Sequence, residues 1–263
     1  AARVLGKLAR YAEWRDRAEG MILDFDDIRP QEARTICQQA LREQGDGWLS
    51  GEATRNLLSA FALPVPPGGI CVTADEAAKL AAQIGFPVAL KLTSRTIVHK
   101  TEFGGVRLNL DSEAAVRQAF LEIQQRVAQD NKLAEMEGVL IQPMISGGVE
   151  VMVGMTLDPL FGPLIGFGLG GIHVEILEDV CFRVTPITDR DAAEMVRGIK
   201  GYRLLEGYRG YPPADIPAIE DLLLRVARLV EEVPEISELD LNPVIALPPG
   251  RACQIVDARI RVA

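Results

Sequence analysis

The chain has 263 residues, enough for one large domain or two modest ones around a buried core. It is 48% hydrophobic and 25% charged, the make-up of a soluble globular protein. No apolar run reaches the roughly eighteen residues of a membrane span, and a net charge of −9 without a basic stripe excludes nucleic acid as the natural partner.

In chain order, residues 1–20 read as a helix, with Val4, Leu5, Leu8 and Tyr11 on one face and Trp14 nearby. A second helix is expected from about Pro30 to Glu43, because proline in a first turn followed by Glu32 and Ala33 is a start signal. Gly45-Asp46-Gly47 ends it. Residues 1–47 therefore read as an arm or the end of a preceding domain. The chain opens Ala1-Ala2-Arg3 without methionine or signal peptide, as expected of a piece of a longer cytoplasmic protein.

From Trp48 the pattern becomes regular. Ser50 caps a helix to about Ala62, which Pro64, Pro66, Pro67 and Gly68-Gly69 terminate. Ile70–Val72 is a short strand. Thr73 with Glu76 forms a capping box for a helix to Ile84, with Gly85 just past its end. Strands are expected at 87–92, 105–110 and 139–142, with a long helix from Ser112 to about Asn131. Strand, helix, strand, strand, helix, strand over 69–142 is a compact α+β half with its helices on one face.

The other half follows Pro143 and Gly147-Gly148. Strands are expected at 150–155, 162–167 and 180–184. A second capping pattern at Thr188–Asp191 opens a helix to about Ile199, and another helix runs from Asp215 to Glu232. Strands at 238–246 and 252–259 close the chain. The division into 1–47, 48–143 and 144–263 follows from this order.

Few residues carry chemistry. Cys37, Cys71, Cys181 and Cys253 are far apart, so neither a disulfide framework nor a zinc clip is indicated. With two histidines and no GxSxG, serine-triad catalysis fails; with no strand-turn-helix after Gly168-Leu169-Gly170-Gly171, so does a Rossmann fingerprint. Gly168–Gly171, leading into His173 and Glu175, either closes on a substrate or is a simple turn.

The stretch KLTSRTIVHKTEFGGV, Lys91–Val106, is richer. A lysine at the end of an apolar strand suits a phosphate oxygen, or it is merely a surface strand end. The glycine pair Gly104-Gly105 offers backbone amides to phosphates, or a turn; it lacks the spacing of a P-loop. Gln142-Pro143-Met144-Ile145 with Glu150 reads as a hinge that could hold a nucleotide base and ribose, or as an interdomain turn. Asp240 and Asn242 face one way on their strand, and Asp257 lies fifteen positions beyond Asn242, as a hairpin partner would. Oxygen ligands from two adjacent strands suit Mg²⁺, against an Asx turn before Pro243.

Five blocks in order then resemble a known family: LLSAFALPVPPG, ALKLTSRTIVHKTEFGGV, GVEVMVGMTLDPLFGPLIGFGLGGIHVEILEDVCFRVTP, GYRLLEGYRG and SELDLNPV. From Trp48 to Ala263 the chain resembles the ATP-grasp domain of nucleoside-diphosphate-forming acyl-CoA synthetases, the group of ADP-forming acetyl-CoA synthetase and, more distantly, the succinyl-CoA synthetase β subunit. The resemblance implies an α/β (α+β) fold of two subdomains with the nucleotide between them. ATP/ADP and Mg²⁺ would be the cofactors. Lys91, Lys100, Gly104 and Gly105 would meet the phosphates, Gln142, Met144 and Ile145 the adenine, and Glu150 the ribose. Asn242, Asp257 and Asp240 would hold the metal, and His99 would relay the phosphoryl group on a loop expected to be mobile.

The segment ARYAEWR resembles the end of a preceding CoA-ligase part. The CoA-binding and CoA-ligase domains are thus the implied partners, on the same polypeptide or an α subunit, and would supply the sites for the acid and CoA. A ligand-sensing module of a protein lysine acetyltransferase is the alternative, and a carboxylate–amine ligase of the same fold a third; a phosphoryl-accepting histidine fits neither.

Overall fold

The computed structural model of the chain describes every residue except 1, 17–18, 95, 98–99, 101–102, 172–178 and 211, and only the backbone at 10, 13 and 14. The elements in order are α1 (Ala2–Arg15), α2 (Pro30–Gln44), β1 (Gly47–Trp48), α3 (Gly51–Ala60), β2 (Gly69–Cys71), α4 (Ala74–Ile84), β3 (Val88–Thr93), β4 (Val106–Leu110), α5 (Glu113–Gln129), β5 (Gly138–Pro143), β6 (Val149–Asp158), β7 (Gly162–Leu169), β8 (Val180–Val184), α6 (Asp189–Gly198), α7 (Tyr202–Leu205), α8 (Ile216–Glu232), β9 (Ile236–Ala246), β10 (Cys253–Ile255) and β11 (Ala258–Val262).

Helix starts follow their caps. The hydroxyls of Ser50, Thr73, Ser112 and Thr188 accept from the backbone N–H three residues on, and the boxes at Thr73–Glu76 and Thr188–Asp191 are both closed. Each cap satisfies amides that the first turn leaves without partners.

Two antiparallel sheets result. The smaller runs β2-β5-β3-β4 and carries α4 and α5 on one face. The larger runs β1-β11-β9-β6-β7-β8, with β10 paired to β9. Its core joins Val151, Val153, Ile165, Phe167, Leu239 and Leu241 to buried residues of α6 and α8.

The alternation of strand side chains decides what the other faces carry. Leu90 and Leu92 of β3 and Val139 and Ile141 of β5 point into the helix-covered core. Ala89, Lys91 and Gln142 therefore point the opposite way, and Ala89 sits directly opposite Gln142 in the ladder. On β9, Leu239 and Leu241 enter the large core, so Asp240 and Asn242 point away from it. The polar faces of the two sheets look at each other.

Three sequence expectations shift. Strand 252–259 is broken into β10 and β11, with Val256-Asp257 in the break, where a backbone lined with functional groups leaves the ladder. Helix α3, read with the first half, buries Leu57, Leu58 and Ala60 in the larger core, and β1 pairs with β11. Part of the 1–47 arm does the same: Ala33 and Cys37 of α2 are fully buried there. Helix α1 keeps Val4, Leu5 and Leu8 at 58–65% exposure, an exposed apolar stripe.

The chain crosses between the sheets at 64–68 and again at 143–149. Arg55 on α3 donates to the carbonyls of Pro66 and Gly68 and so braces the first crossing. A Cβ at Gly68 would lie 2.2 Å from the Ile141 carbonyl oxygen, a backbone atom that cannot give way alone. Gly68→Ala is expected to cost on the order of 3 kcal/mol, read as a lowered urea midpoint at unchanged slope.

Candidate functional site: a cleft between the two sheets

The facing surfaces enclose a cleft of about 280 Å³. Lys91 and Ala89 (β3), Val106 and Leu108 (β4) and Gln142 (β5) form one wall; Glu150 (β6), Asn242 and Ile245 (β9), Asp257 and Arg259 form the other. Pro143, Met144 and Ile145 close the end at the second crossing. The volume is somewhat below the usual ligand-pocket range of roughly 300–1,000 Å³, and its lining mixes aliphatic walls with a few convergent charges.

Lys91 is not a surface strand end. It sits mid-strand at 6% exposure, and its Nζ donates to the Val256 carbonyl at 2.8 Å. Burial pushes the ammonium down from 10.5 to about 8; nearby Lys100 adds to this and Asp257 opposes it. Gln142, 1% exposed, reaches toward the same Val256 carbonyl at 3.4 Å. The break between β10 and β11 thus serves both side chains of the smaller sheet.

Lys100 pairs with Asp257 at 3.2 Å, both side chains about one-fifth exposed. Asp257 stands opposite Asn242: the Asn242 N–H donates to the Asp257 carbonyl at 3.2 Å, and the β9–β10 and β9–β11 ladders share one register across the break. The pair offers one carboxylate and one amide oxygen at the cleft wall. Among the described residues no group of three or more His, Cys, Asp or Glu could hold a metal. Few, hard oxygen donors with positions left for water and phosphate suit Mg²⁺, so the residues fit that ion.

Asp240 lies on the same face of β9 but does not line the cleft; it is Arg259's cross-strand neighbour. Burial raises its carboxyl, Arg259 opposes, and Asp257 and Glu238 add to the rise. Gly104 and Gly105 do not line it either. Gly105 donates to Lys100 and accepts from Leu92, and a Cβ there would lie 2.9 Å from Leu92 Cβ, so its job is to close the base of the 94–104 loop. Within the hinge, the Met144 N–H donates to the Pro87 carbonyl at 3.0 Å. Glu150 accepts from Gly170 through its backbone, and a Cβ at Gly171 would lie 2.8 Å from its carboxylate. His99, His173 and Glu175, and so the expected mobility around His99, lie outside the described residues.

Sequence reasoning missed Arg259, the Val256 carbonyl and the apolar walls Ala89, Val106 and Leu108. The Asp-x-Arg alternation after the turn was the available signal for Arg259. Cys37 and Cys253 are buried with thiols pushed up to about 12, so neither is a ready nucleophile.

A family described as an ATP-grasp domain matches residues 39–262. The chain belongs to this family. The β subunit of ADP-forming acetate–CoA ligase II from Pyrococcus furiosus is 46% identical over 230 residues, 87% of this chain and 97% of that subunit. ADP-forming acetate–CoA ligase I from Archaeoglobus fulgidus is 44% identical over 261 residues. There the match spans 99% of this chain but 37% of the relative, so this ATP-grasp chain spans little more than a third of that relative's length. A chain of acetyl-coenzyme A synthetase 1 from Ca. Korarchaeum cryptofilum superposes with a TM-score of 0.76 at 40% identity, covering 88% of this chain and all of that one. That structure holds coenzyme A and Mg-AMPPCP, its phosphohistidine segment pointing towards the nucleotide-binding site. These relatives lend no support to the acetyltransferase-linked sensor. Among the described residues no helix is long and apolar enough to cross a membrane.

Proposed function

We propose that this chain is the nucleotide-binding and phosphoryl-transferring part of a cytoplasmic ADP-forming acyl-CoA synthetase, which in the whole protein interconverts acid, CoA and ATP with acyl-CoA, ADP and phosphate. One observation carries the reading. Lys91, Lys100, Gln142, Glu150, Asn242 and Asp257, distributed over both halves of the sequence, line one cleft between two sheets.

ATP lies with its base against Gln142–Ile145, its ribose toward Glu150 and its phosphates toward Lys91 and Lys100. Asn242 and Asp257 would hold Mg²⁺, with Asp240 behind them; a bound ion would supply charge neutralisation for the phosphate oxygens. Gly104 and Gly105 shape the loop that carries His99 and bring Lys100 to the phosphates. A neutral imidazole nitrogen of His99 attacks the γ-phosphorus. The N–P bond forms as the bond to the bridging oxygen breaks, the electron pair leaves with ADP, and the ring sheds its other N–H proton to solvent. Reversal returns the phosphoryl group to ADP. Carrying it to an acid requires the CoA-binding and CoA-ligase domains, on the same chain or an α subunit, and the exposed stripe of α1 is a surface suited to them.

Calorimetry tests the reading. The chain is expected to bind Mg-ATP once. Asp257→Ala should weaken it about 10- to 100-fold with Mg²⁺ present, the value of a lost charge-assisted ligand, and have little effect with ATP and EDTA. No binding by the native chain, or equal Mg-ATP binding by the variant, would sink the assignment.

A further inference from the structure

The cleft holds three cations, and two of them are engaged. Lys91 donates to the Val256 carbonyl and Lys100 pairs with Asp257. The side chain of Arg259, half-buried on β11, makes no hydrogen bond or ion pair among the described residues; its charge is felt by Asp240, its cross-strand neighbour. A half-buried guanidinium that lines the cleft with its donors uncommitted is free to meet a ligand, and its planar fork matches two oxygens of a phosphate.

Its place along the cleft says which phosphate. Asp257, in the break before β11, and Arg259, on β11, are two residues apart and both line the cleft. Arg259 also borders an adjoining recess of about 40 Å³, walled by Trp48, Thr93, Ser94 and Lys100. None of the hinge residues Gln142–Ile145, nor Glu150, borders that recess. Running from the hinge, the order is therefore Gln142–Ile145, the Asn242–Asp257 pair, and then Arg259 with Lys100 at the root of the loop that continues from β3.

We propose that Arg259 contacts the terminal phosphate of the bound nucleoside triphosphate, the group that is transferred. This rests on the nucleotide reading above and adds a residue to it. The competing role is structural: Arg259 merely offsets Asp240 and touches no ligand.

The two roles separate in the ratio of affinities for Mg-ATP and Mg-ADP, measured by calorimetry on the native chain, Arg259→Met and Arg259→Lys. In Arg259→Met, Mg-ATP should bind at least about tenfold more weakly while Mg-ADP changes by less than about twofold, the value of one charged contact. Arg259→Lys, which keeps the charge but loses the fork, should fall between. Equal weakening of both nucleotides, or none, would overturn the proposal in favour of the structural role. Should Arg259→Met fail to fold, as judged by circular dichroism, the ratio in Arg259→Lys decides: a reduced preference for Mg-ATP supports the contact, an unchanged one removes it. A native chain that binds neither nucleotide would instead overturn the nucleotide reading itself.

Discussion

His99→Ala is expected to abolish acid-labile ³²P labelling of the chain by Mg-[γ-³²P]ATP, while calorimetric binding of Mg-ATP stays within about twofold. The chemistry sets the size of the effect. A phosphoramidate needs an unprotonated ring nitrogen, and alanine has no atom that can form a bond to phosphorus. Binding should survive because the cleft's own cations and the Asn242–Asp257 pair are untouched. The label should be stable to alkali and lost in acid, which separates it from serine or threonine phosphate. Labelling that persists in His99→Ala would remove His99 from the reaction and leave the cleft as a nucleotide site whose acceptor lies elsewhere.

The second large effect concerns Lys91. The buried ammonium is held well below its ordinary range, from 10.5 to about 8, so burial disfavours its charged form by roughly 3 kcal/mol relative to water. Lys91→Met should therefore leave thermal stability equal to or above that of the native chain at neutral pH, since it removes a charge that burial disfavours and keeps much of the length. Nucleotide affinity should behave oppositely. Losing a charge-assisted contact to phosphate costs about 1.5–3 kcal/mol, or roughly 10- to 150-fold in Kd. A variant that unfolds, or binds Mg-ATP as the native chain does, refutes the phosphate role.

The same group predicts a pH dependence whose sign can be worked out. Bound phosphates favour the protonated lysine, so its pKa in the complex lies above the value of about 8 in the free protein. Affinity should be level below pH 8 and fall as pH rises through 8, with a proton taken up on binding; Lys91→Met should lack this fall. Stability runs the other way. Because the folded pKa is below the unfolded 10.5, the penalty for the buried charge is present below about pH 8 and is relieved between 8 and 10.5. Lys100 and Asp257, which flank Lys91, shift the midpoint but not the direction.

Local signals in the chain were strong where one residue's chemistry suffices. The capping boxes at Thr73–Glu76 and Thr188–Asp191 and the cap at Ser50 were legible because a side-chain oxygen three residues before an amide is a local event. The Asn242–Asp257 pair was legible because antiparallel neighbours across a short turn keep a constant sum of positions. Packing of α3 and α2 against the second half was not, since an amphipathic helix shows that it has a partner without showing which one. Gly104-Gly105 read as a phosphate cradle because glycine marks close approach in general; here the close approach is to Leu92 and Lys100.

Taken alone, the sequence determined the two α+β halves, their caps and strands, the resemblance to ATP-grasp domains, and the identity of most polar residues that line the cleft. These follow from periodicity, local hydrogen bonding and short-range register. The tertiary structure alone decided that Lys91 is buried against the Val256 carbonyl, that Lys100 meets Asp257, that Asp240 stands behind the cleft wall, and that Arg259 reaches it without a partner. Those are relations between positions more than a hundred and fifty residues apart for the lysines, and they depend on two sheets meeting face to face, which no local pattern encodes.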